Sequence, residues 1–127
     1  MMIEHIAMYV NDLERAKDLF IRYFEGKAGE KYQNREIGFQ SYFISFQNGS
    51  RLELMHRTDM ADMDKPPART GYVHIAFSVG TKQQVDVLTR QMENDGYHVL
   101  SRPRTTGYGY YESCLIDFEG NQIEITI

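Results

Sequence analysis

One short segment of the sequence occurs twice, as EHIAMYV at 4–10 and as VHIAFSV at 73–79. In both copies apolar residues fill every second position, which is typical of a β-strand with one buried face. Both contain His-Ile-Ala, and they lie about half a chain length apart. Such a repeat indicates an internal duplication, in which each half of the chain builds the same supersecondary unit.

Each copy is followed by a segment with helical spacing of its apolar residues, NDLERAKDLFIRYFEG in the first half and GTKQQVDVLTRQMENDG in the second. Asn11 with Glu14 has the spacing of a capping box and predicts the start of the first helix. Thr81 with Gln84 repeats that pattern before the second helix. A glycine follows each apolar stripe, as it does at many helix ends.

Strand-like segments then complete each half. Two further segments align, GSRLELM at 49–55 and GNQIEIT at 120–126. They place Glu53 and Glu124 71 positions apart (124 − 53), while the two histidines of the first repeat are 69 apart (74 − 5). The two histidines and the two glutamates are thus separated by nearly the same number of residues. We therefore expect a duplicated α+β unit that runs strand, helix and several strands.

A chain of 127 residues is long enough for one domain with a core and too short for two ordinary domains. The stretch MADMDKPPART is polar, and its adjacent prolines cannot join a sheet ladder. We therefore expect a single domain over 1–127, with a first module at about 1–57, a linker at about 58–71 and a second module at about 72–127.

Charge and composition exclude several classes of function. A formal net charge of −4 argues against nucleic acid, and no apolar run is long enough to span a bilayer. The N-terminal segment has neither a basic region nor a cleavage site, so a signal peptide is not expected. Cys114 is the only cysteine, which excludes an internal disulfide and a cysteine-based zinc cluster. We expect a cytoplasmic protein with a small-molecule substrate, in which Cys114 is a buried structural thiol.

Four ionisable residues lie on the strand faces opposite the aliphatic ones: His5, Glu53, His74 and Glu124. Imidazole nitrogen and carboxylate oxygen are ligands that suit Zn²⁺, Ni²⁺, Mn²⁺ or Fe²⁺. The pseudo-twofold symmetry of a duplicated fold would bring one histidine and one glutamate from each half to a common point. The alternative is four solvated or hydrogen-bonded polar groups on sheet faces. Their repeat-equivalent positions favour a metal site.

The segments HIAMYV-NDLERAKDLF, RLELM, YVHIAFSV and DFEGNQIEI, in this order, resemble the vicinal oxygen chelate superfamily. That superfamily includes glyoxalase I, methylmalonyl-CoA epimerase, fosfomycin-resistance thiol transferases, extradiol dioxygenases and bleomycin-binding proteins. The resemblance covers essentially the whole chain. It implies an α+β fold in which two paired βαβββ modules form an open, curved sheet around a central metal site. It also implies a homodimer, with the site built within one chain or across the two.

Within the superfamily the ligand set separates activities. Fosfomycin-resistance enzymes lack a carboxylate at the position of Glu53, and bleomycin-binding proteins lack the ligands. The four-residue set here resembles glyoxalase I (lactoylglutathione lyase) and the epimerase, with Zn or Ni favoured and Mn or Fe as alternatives. It implies a metal-dependent lyase or isomerase that shifts a proton between adjacent carbons of a 2-oxo or thiol-hemithioacetal substrate. Glu124 would be the base, and Glu53 a ligand or second proton carrier.

Substrate contacts are expected from Tyr9, Arg104 and Tyr108. Tyr9 stands where bacterial glyoxalase I usually carries an arginine that helps hold the glutathione carboxylate, so the thiol carrier stays open. The run TTGYGYYES could line a pocket, or could form a tyrosine-rich hairpin that packs on itself or on a second subunit. Two alternative functions also stay open: a non-catalytic small-molecule binding or resistance protein on the same fold, and a thiol transferase.

Overall fold

A computed structural model describes all residues from 1 to 127 and divides into two compact units, Met1–Asp62 and Met63–Ile127. The first unit contains β1 (Ile6–Tyr9), α1 (Leu13–Phe24), β2 (Lys27–Ala28), β3 (Tyr32–Asn34), β4 (Phe39–Ser45) and β5 (Arg51–Arg57). The second contains β6 (His74–Ser78), α2 (Lys82–Asn94), β7 (His98–Thr105), β8 (Tyr111–Ile116) and β9 (Gln122–Thr126). Neither helix is long and apolar enough to cross a membrane.

The two sheets have corresponding strand orders. In the first unit the order is β1-β5-β4-β2, with β3 also paired to β4; in the second it is β6-β9-β8-β7. The opening strand of each unit is an edge strand that runs parallel to the last strand, while the other pairings are antiparallel. The predicted α+β class with a duplicated strand-helix-strands unit is confirmed.

One face of each sheet is buried under the helix of its own unit. The buried apolar residues of the first unit are Val10, Leu13, Leu19, Phe20, Tyr23, Phe24, Ile44, Leu52 and Leu54. Those of the second unit are Val85, Met92, Tyr97, Leu115, Ile123 and Ile125. Because side chains alternate along a strand, burial of these residues turns the histidines and glutamates of the repeats to the opposite face.

The helix starts show one confirmed and one wrong prediction. Thr81 caps α2, and its side chain accepts a hydrogen bond from the Gln84 amide at 3.2 Å, as predicted. The cap of α1 is Asp12 instead of Asn11, because the Asp12 carboxylate accepts a hydrogen bond from the Arg15 amide at 2.9 Å. Asn and Asp cap helices about equally well, and it is Asp12 that has the extended backbone conformation of an N-cap, with φ −110° and ψ 94°.

A tyrosine joins sheet to helix in each unit, which sequence inspection missed. The Tyr42 hydroxyl on β4 donates to Oε1 of Glu14 on α1 at 3.0 Å. The Tyr111 hydroxyl on β8 donates to Oδ1 of Asp86 on α2 at 2.7 Å. The two links are not at equivalent positions of the repeat, because Tyr42 lies opposite Leu54 and the residue opposite the corresponding Ile125 is Ser113.

Glu14 should make stability depend on acid pH. Hydrogen bonds from Lys17 and Lys31, and a weaker one from Tyr42, lower the pKa of Glu14 to about 2. A lowered folded-state pKa stabilises the fold above the unfolded-state pKa, and the stabilisation disappears as pH falls from about 4.5 towards 2. Since the Glu14 side chain is half exposed, Glu14→Gln should cost about 1 kcal/mol or less at pH 7, and this cost should vanish as the pH falls below about 2. Urea unfolding across this pH range measures the difference, with the exposed Glu30→Gln as the charge-matched control.

Candidate metal centre

The first unit brings His5 and Glu53 together. Glu53 on β5 is in register with Ala7 on the parallel strand β1, and His5 lies two residues before Ala7 on the same face. The Nε2 atom of His5 is 3.7 Å from Oε2 of Glu53. The two side chains are 38% and 17% exposed, so the pair is open to solvent but partly sheltered by the sheet.

The second unit builds the same pair from His74 and Glu124. Glu124 on β9 is in register with Ala76 on the parallel strand β6, two residues beyond His74. The Nε2 atom of His74 is 3.6 Å from Oε2 of Glu124, and the side chains are 38% and 18% exposed. Two parts of the chain with different sequences thus form one local geometry, which a pair of unrelated surface residues would not reproduce.

The spacing within each pair fits two ligands of one cation. It exceeds the 2.7–3.2 Å of a normal N–H···O hydrogen bond. Zinc bonds of roughly 2.0–2.2 Å to nitrogen and oxygen, at a tetrahedral angle, would place the two ligand atoms about 3.4 Å apart. Each pair therefore has donors of the right chemistry at close to the right separation.

One pair supplies only two donors. Within neither unit do three His, Cys, Asp or Glu side chains gather into a ligand cluster. A structural metal site normally has four protein ligands, and a catalytic one has three with an open position. The complete set of His5, Glu53, His74 and Glu124 needs both pairs, and it stays a prediction.

The carboxyl of Glu124 lies in an environment that disfavours its charge. Partial burial raises the pKa of Glu124, the attraction of His74 opposes this, and the neighbouring Glu112 raises it again. Arg104, one of the predicted substrate contacts, lies on β7 in register with Glu112 and places Nη2 3.8 Å from Oε1 of Glu112. Two carboxyls and a guanidinium therefore stand on one face, next to His74.

The other two predicted substrate residues lie one in each unit. Tyr9 is on β1, on the face of His5, and its side chain is hydrogen-bonded to Arg57. Tyr108 is 93% exposed in the turn between β7 and β8. Two backbone hydrogen bonds lie within that turn, from the Thr106 amide to the Tyr110 carbonyl and from the Gly109 amide to the Thr106 carbonyl.

Three residues near His5 were not predicted from the sequence: Glu4, Phe43 and Arg51. The Glu4 carboxylate accepts hydrogen bonds from Nδ1 of His5 and from Nη2 of Arg51. The hydrogen bond from His5 has the largest effect on the pKa of Glu4, and it lowers that pKa together with the contact to Arg51. The His5 ring meets Phe43 edge-on, with 5.4 Å between ring centroids. The only sign of these contacts in the sequence was an acidic residue directly before the first of the two repeated histidines.

Cys114 lies opposite Glu124 in the antiparallel pair of β8 and β9. Burial, and then the charge of Glu124, raise the pKa of the Cys114 thiol to about 11. The thiol is therefore protonated at neutral pH and is a poor nucleophile. The expected low reactivity follows from this, but the thiol is only partly buried and lies on the face of Glu124, so the expectation of a buried thiol is wrong.

Two surface cavities of the first unit, of about 310 and 500 Å³, lie beside the turn between β3 and β4. Residues of that turn and of the end of β5 line them, and neither His5 nor Glu53 does. His56, which lines the smaller cavity, has Nδ1 2.9 Å from the Val10 carbonyl oxygen. Neither cavity brings a carboxylate and an imidazole together, whereas the repeated His–Glu pairs do, so the pairs form the candidate centre.

Comparison with known proteins decides the family. The model of the glyoxalase/bleomycin resistance protein/dioxygenase superfamily matches residues 2–125. The chain belongs to that superfamily. The uncharacterized protein YqjT of Bacillus subtilis is 27% identical over 129 residues, which is 97% of this chain and 96% of YqjT.

Solved structures show the same superfamily fold at low sequence identity. A glyoxylase/bleomycin resistance protein/dioxygenase domain from Frankia sp. EAN1pec matches with a TM-score of 0.83 at 15% identity, over 100% of this chain and 97% of its own. The trypanothione-dependent glyoxalase I of Leishmania major matches at 0.76 and 19%, over 99% of this chain and 86% of its own. Glyoxalase I from Zea mays also matches at 0.76 and 19%; the alignment covers 97% of this chain and 43% of the maize chain.

Proposed function

We propose that this superfamily member is a metal-dependent lyase or isomerase of the glyoxalase I type. It would shift a proton between adjacent carbons of a 2-oxo or thiol-hemithioacetal substrate. The observation that carries the proposal is the repeated pair of His Nε2 and Glu Oε2 at 3.6–3.7 Å. A protein that only binds small molecules would not need one such pair in each half of a duplicated fold.

His5, Glu53, His74 and Glu124 would hold one divalent cation, Zn²⁺ or Ni²⁺ in the first place and Mn²⁺ or Fe²⁺ as alternatives. When bound, the cation supplies Lewis-acid polarisation of a substrate oxygen, which makes the adjacent C–H bond more acidic. The pairs fit this role because all four groups are borderline-to-hard ligands on partly exposed sheet faces.

Glu124 is the residue best suited to move the proton. Its pKa is raised by burial, which brings the carboxyl closer to the range in which a general base can both accept and return a proton. In the proposed step Glu124 takes the proton from one carbon and gives it to the neighbouring carbon, so no oxidant or reductant is consumed. Glu53 would be a ligand or a second proton carrier.

Substrate would be held by Tyr9 in the first unit and by Arg104 in the second, with Tyr108 in the exposed turn near Arg104 as a third contact. Arg104 is a permanent cation that can pair with a carboxylate of the thiol carrier. Tyr9, bonded to Arg57, places a hydroxyl where bacterial glyoxalase I usually has an arginine. A carrier other than glutathione is therefore part of the proposal.

Metal content tests the proposal. Protein purified without chelators or affinity-metal resin should contain about one Zn²⁺, Ni²⁺, Mn²⁺ or Fe²⁺ per four-ligand set, measured by inductively coupled plasma mass spectrometry. His74→Ala should lose that metal, because it removes one of the four proposed ligands and breaks the ligand pair with Glu124. His98→Ala, which changes an exposed histidine at the start of β7, is the matched control and should keep it.

A protein that contains no metal and takes none up on reconstitution would contradict the enzyme proposal and favour a small-molecule binding protein. If metal is present, deuterium incorporation in D₂O should be followed by NMR at the carbon next to the carbonyl of methylglyoxal adducts of several thiols. Exchange with one thiol and not with others would identify the carrier.

We also propose that the chain forms a homodimer. Apolar side chains are exposed just before and at the start of β1, an edge strand of its sheet, at Met1, Met2, Ile3 and Ile6. Apolar residues next to an unpaired edge favour association with a second chain. Sedimentation velocity at several protein concentrations should give the mass of two chains, against 14.8 kDa for one.

A further inference from the structure

A hydrogen bond to Glu4 fixes which nitrogen of His5 carries the proton. A neutral imidazole has one donor and one acceptor nitrogen, and a carboxylate can only accept. Since the Glu4 carboxylate contacts Nδ1 of His5, Nδ1 is the donor. The lone pair is then on Nε2, the atom 3.7 Å from Oε2 of Glu53. Carboxylates that accept from the second nitrogen of a metal-binding histidine orient the ring and increase its basicity.

Glu4 is itself held in place, although it lies before β1 and is 59% exposed. Nη2 of Arg51 donates to its second oxygen, Oε1. The Arg51 guanidinium in turn covers the Phe43 ring, with Cζ 4.3 Å from the centroid. Because His5 meets the same ring edge-on, these four side chains form a closed set of contacts. A lone exposed carboxylate would not hold a fixed position, whereas this set restrains both Glu4 and the His5 ring.

The second unit does not repeat this arrangement. The residue before His74 is Val73, and Gln122, in register with His74, takes the place of Arg51. Cys114 lies opposite Glu124 as Phe43 lies opposite Glu53. The two His–Glu pairs are therefore alike in their donors and different in what supports the histidine.

We propose that Glu4 is a positioning residue, which fixes the tautomer and orientation of His5 so that Nε2 is the nitrogen presented to a cation; this rests on the proposed role of His5 as a ligand. The first histidine is preorganised for a metal and the second is not. Loss of Glu4 should then weaken metal binding without unfolding the protein.

The tautomer can be measured without metal. Long-range ¹H–¹⁵N correlation spectra of the metal-free protein at pH 8, where imidazoles are mostly neutral, should show His5 with its proton on Nδ1. Glu4→Ala should shift the His5 signals towards the Nε2–H form and leave those of His74 unchanged. Glu4→Gln, whose amide oxygen can still accept, should retain much of the wild-type pattern. Glu30→Ala removes an exposed carboxylate of the same unit and should change nothing.

Zinc affinity, measured by competition with a chromophoric chelator, should fall about 10-fold or more in Glu4→Ala, with partial recovery in Glu4→Gln. An unchanged His5 tautomer in Glu4→Ala, or an unchanged zinc affinity, would overturn the positioning role. If the wild-type protein shows the expected tautomer but binds no divalent metal, the proposed function fails, while the hydrogen bond between Glu4 and His5 still sets the tautomer. The two failures are therefore distinguishable.

Discussion

Glu124→Gln should reduce kcat/KM for proton exchange on the substrate by about 10²–10⁴-fold, the usual contribution of a positioned general base. The amide keeps the shape of the side chain and can still contact a cation through its oxygen, but it cannot accept the substrate proton. We expect the loss mainly in kcat, measured at saturating metal so that weaker metal binding does not contribute. Deuterium exchange next to the carbonyl provides the rate.

Two variants make this prediction specific. Glu93→Gln removes a carboxylate that pairs with Arg102 on the surface of the same unit, and it should leave the rate within about twofold of wild type. Glu53→Gln makes the same change at the equivalent proposed ligand of the first unit, and its rate is compared with that of Glu124→Gln. If Glu53→Gln, at saturating metal, lowers the rate as much as Glu124→Gln or more, the assignment of the base to Glu124 is wrong.

Ile44→Ala should destabilise the protein by about 2–5 kcal/mol, the range for removing a large aliphatic side chain from a core. Ile44 on β4 is fully buried. It also packs where α1 ends, because a Cβ on Gly26 would lie only 2.5 Å from its Cγ2 atom. The alanine would leave a cavity between helix and sheet that such close backbone packing cannot readily fill. Urea unfolding gives the change in unfolding free energy.

The same substitution on the surface is the control. Ile21 on α1 is 41% exposed, so Ile21→Ala removes little buried area, and alanine is the better helix former. Its effect should stay within about 0.5 kcal/mol of wild type. Similar losses in the two variants would mean that Ile44 is not part of a packed core.

Much of the fold could be predicted from the sequence, because the alternation of apolar residues in strands and their spacing in helices are local patterns. The doubled EHIAMYV and VHIAFSV segments, with their following helices, led to the duplicated α+β unit. Alternation also assigned His5, Glu53, His74 and Glu124 to the faces away from the aliphatic core. The cap of α1 was placed one residue early, since Asn11 and Asp12 are both good caps and only the backbone conformation selects between them.

The sequence by itself determined which residue types the two halves repeat and which sheet face each of them takes. The tertiary structure alone decided that each histidine meets its own glutamate, because this depends on the register of a parallel pair whose strands are more than 40 residues apart. It also decided that Glu4 reaches Arg51, 47 positions away, and thereby orients His5. Register is set by packing the aliphatic faces under the helices, a long-range requirement that no local pattern encodes.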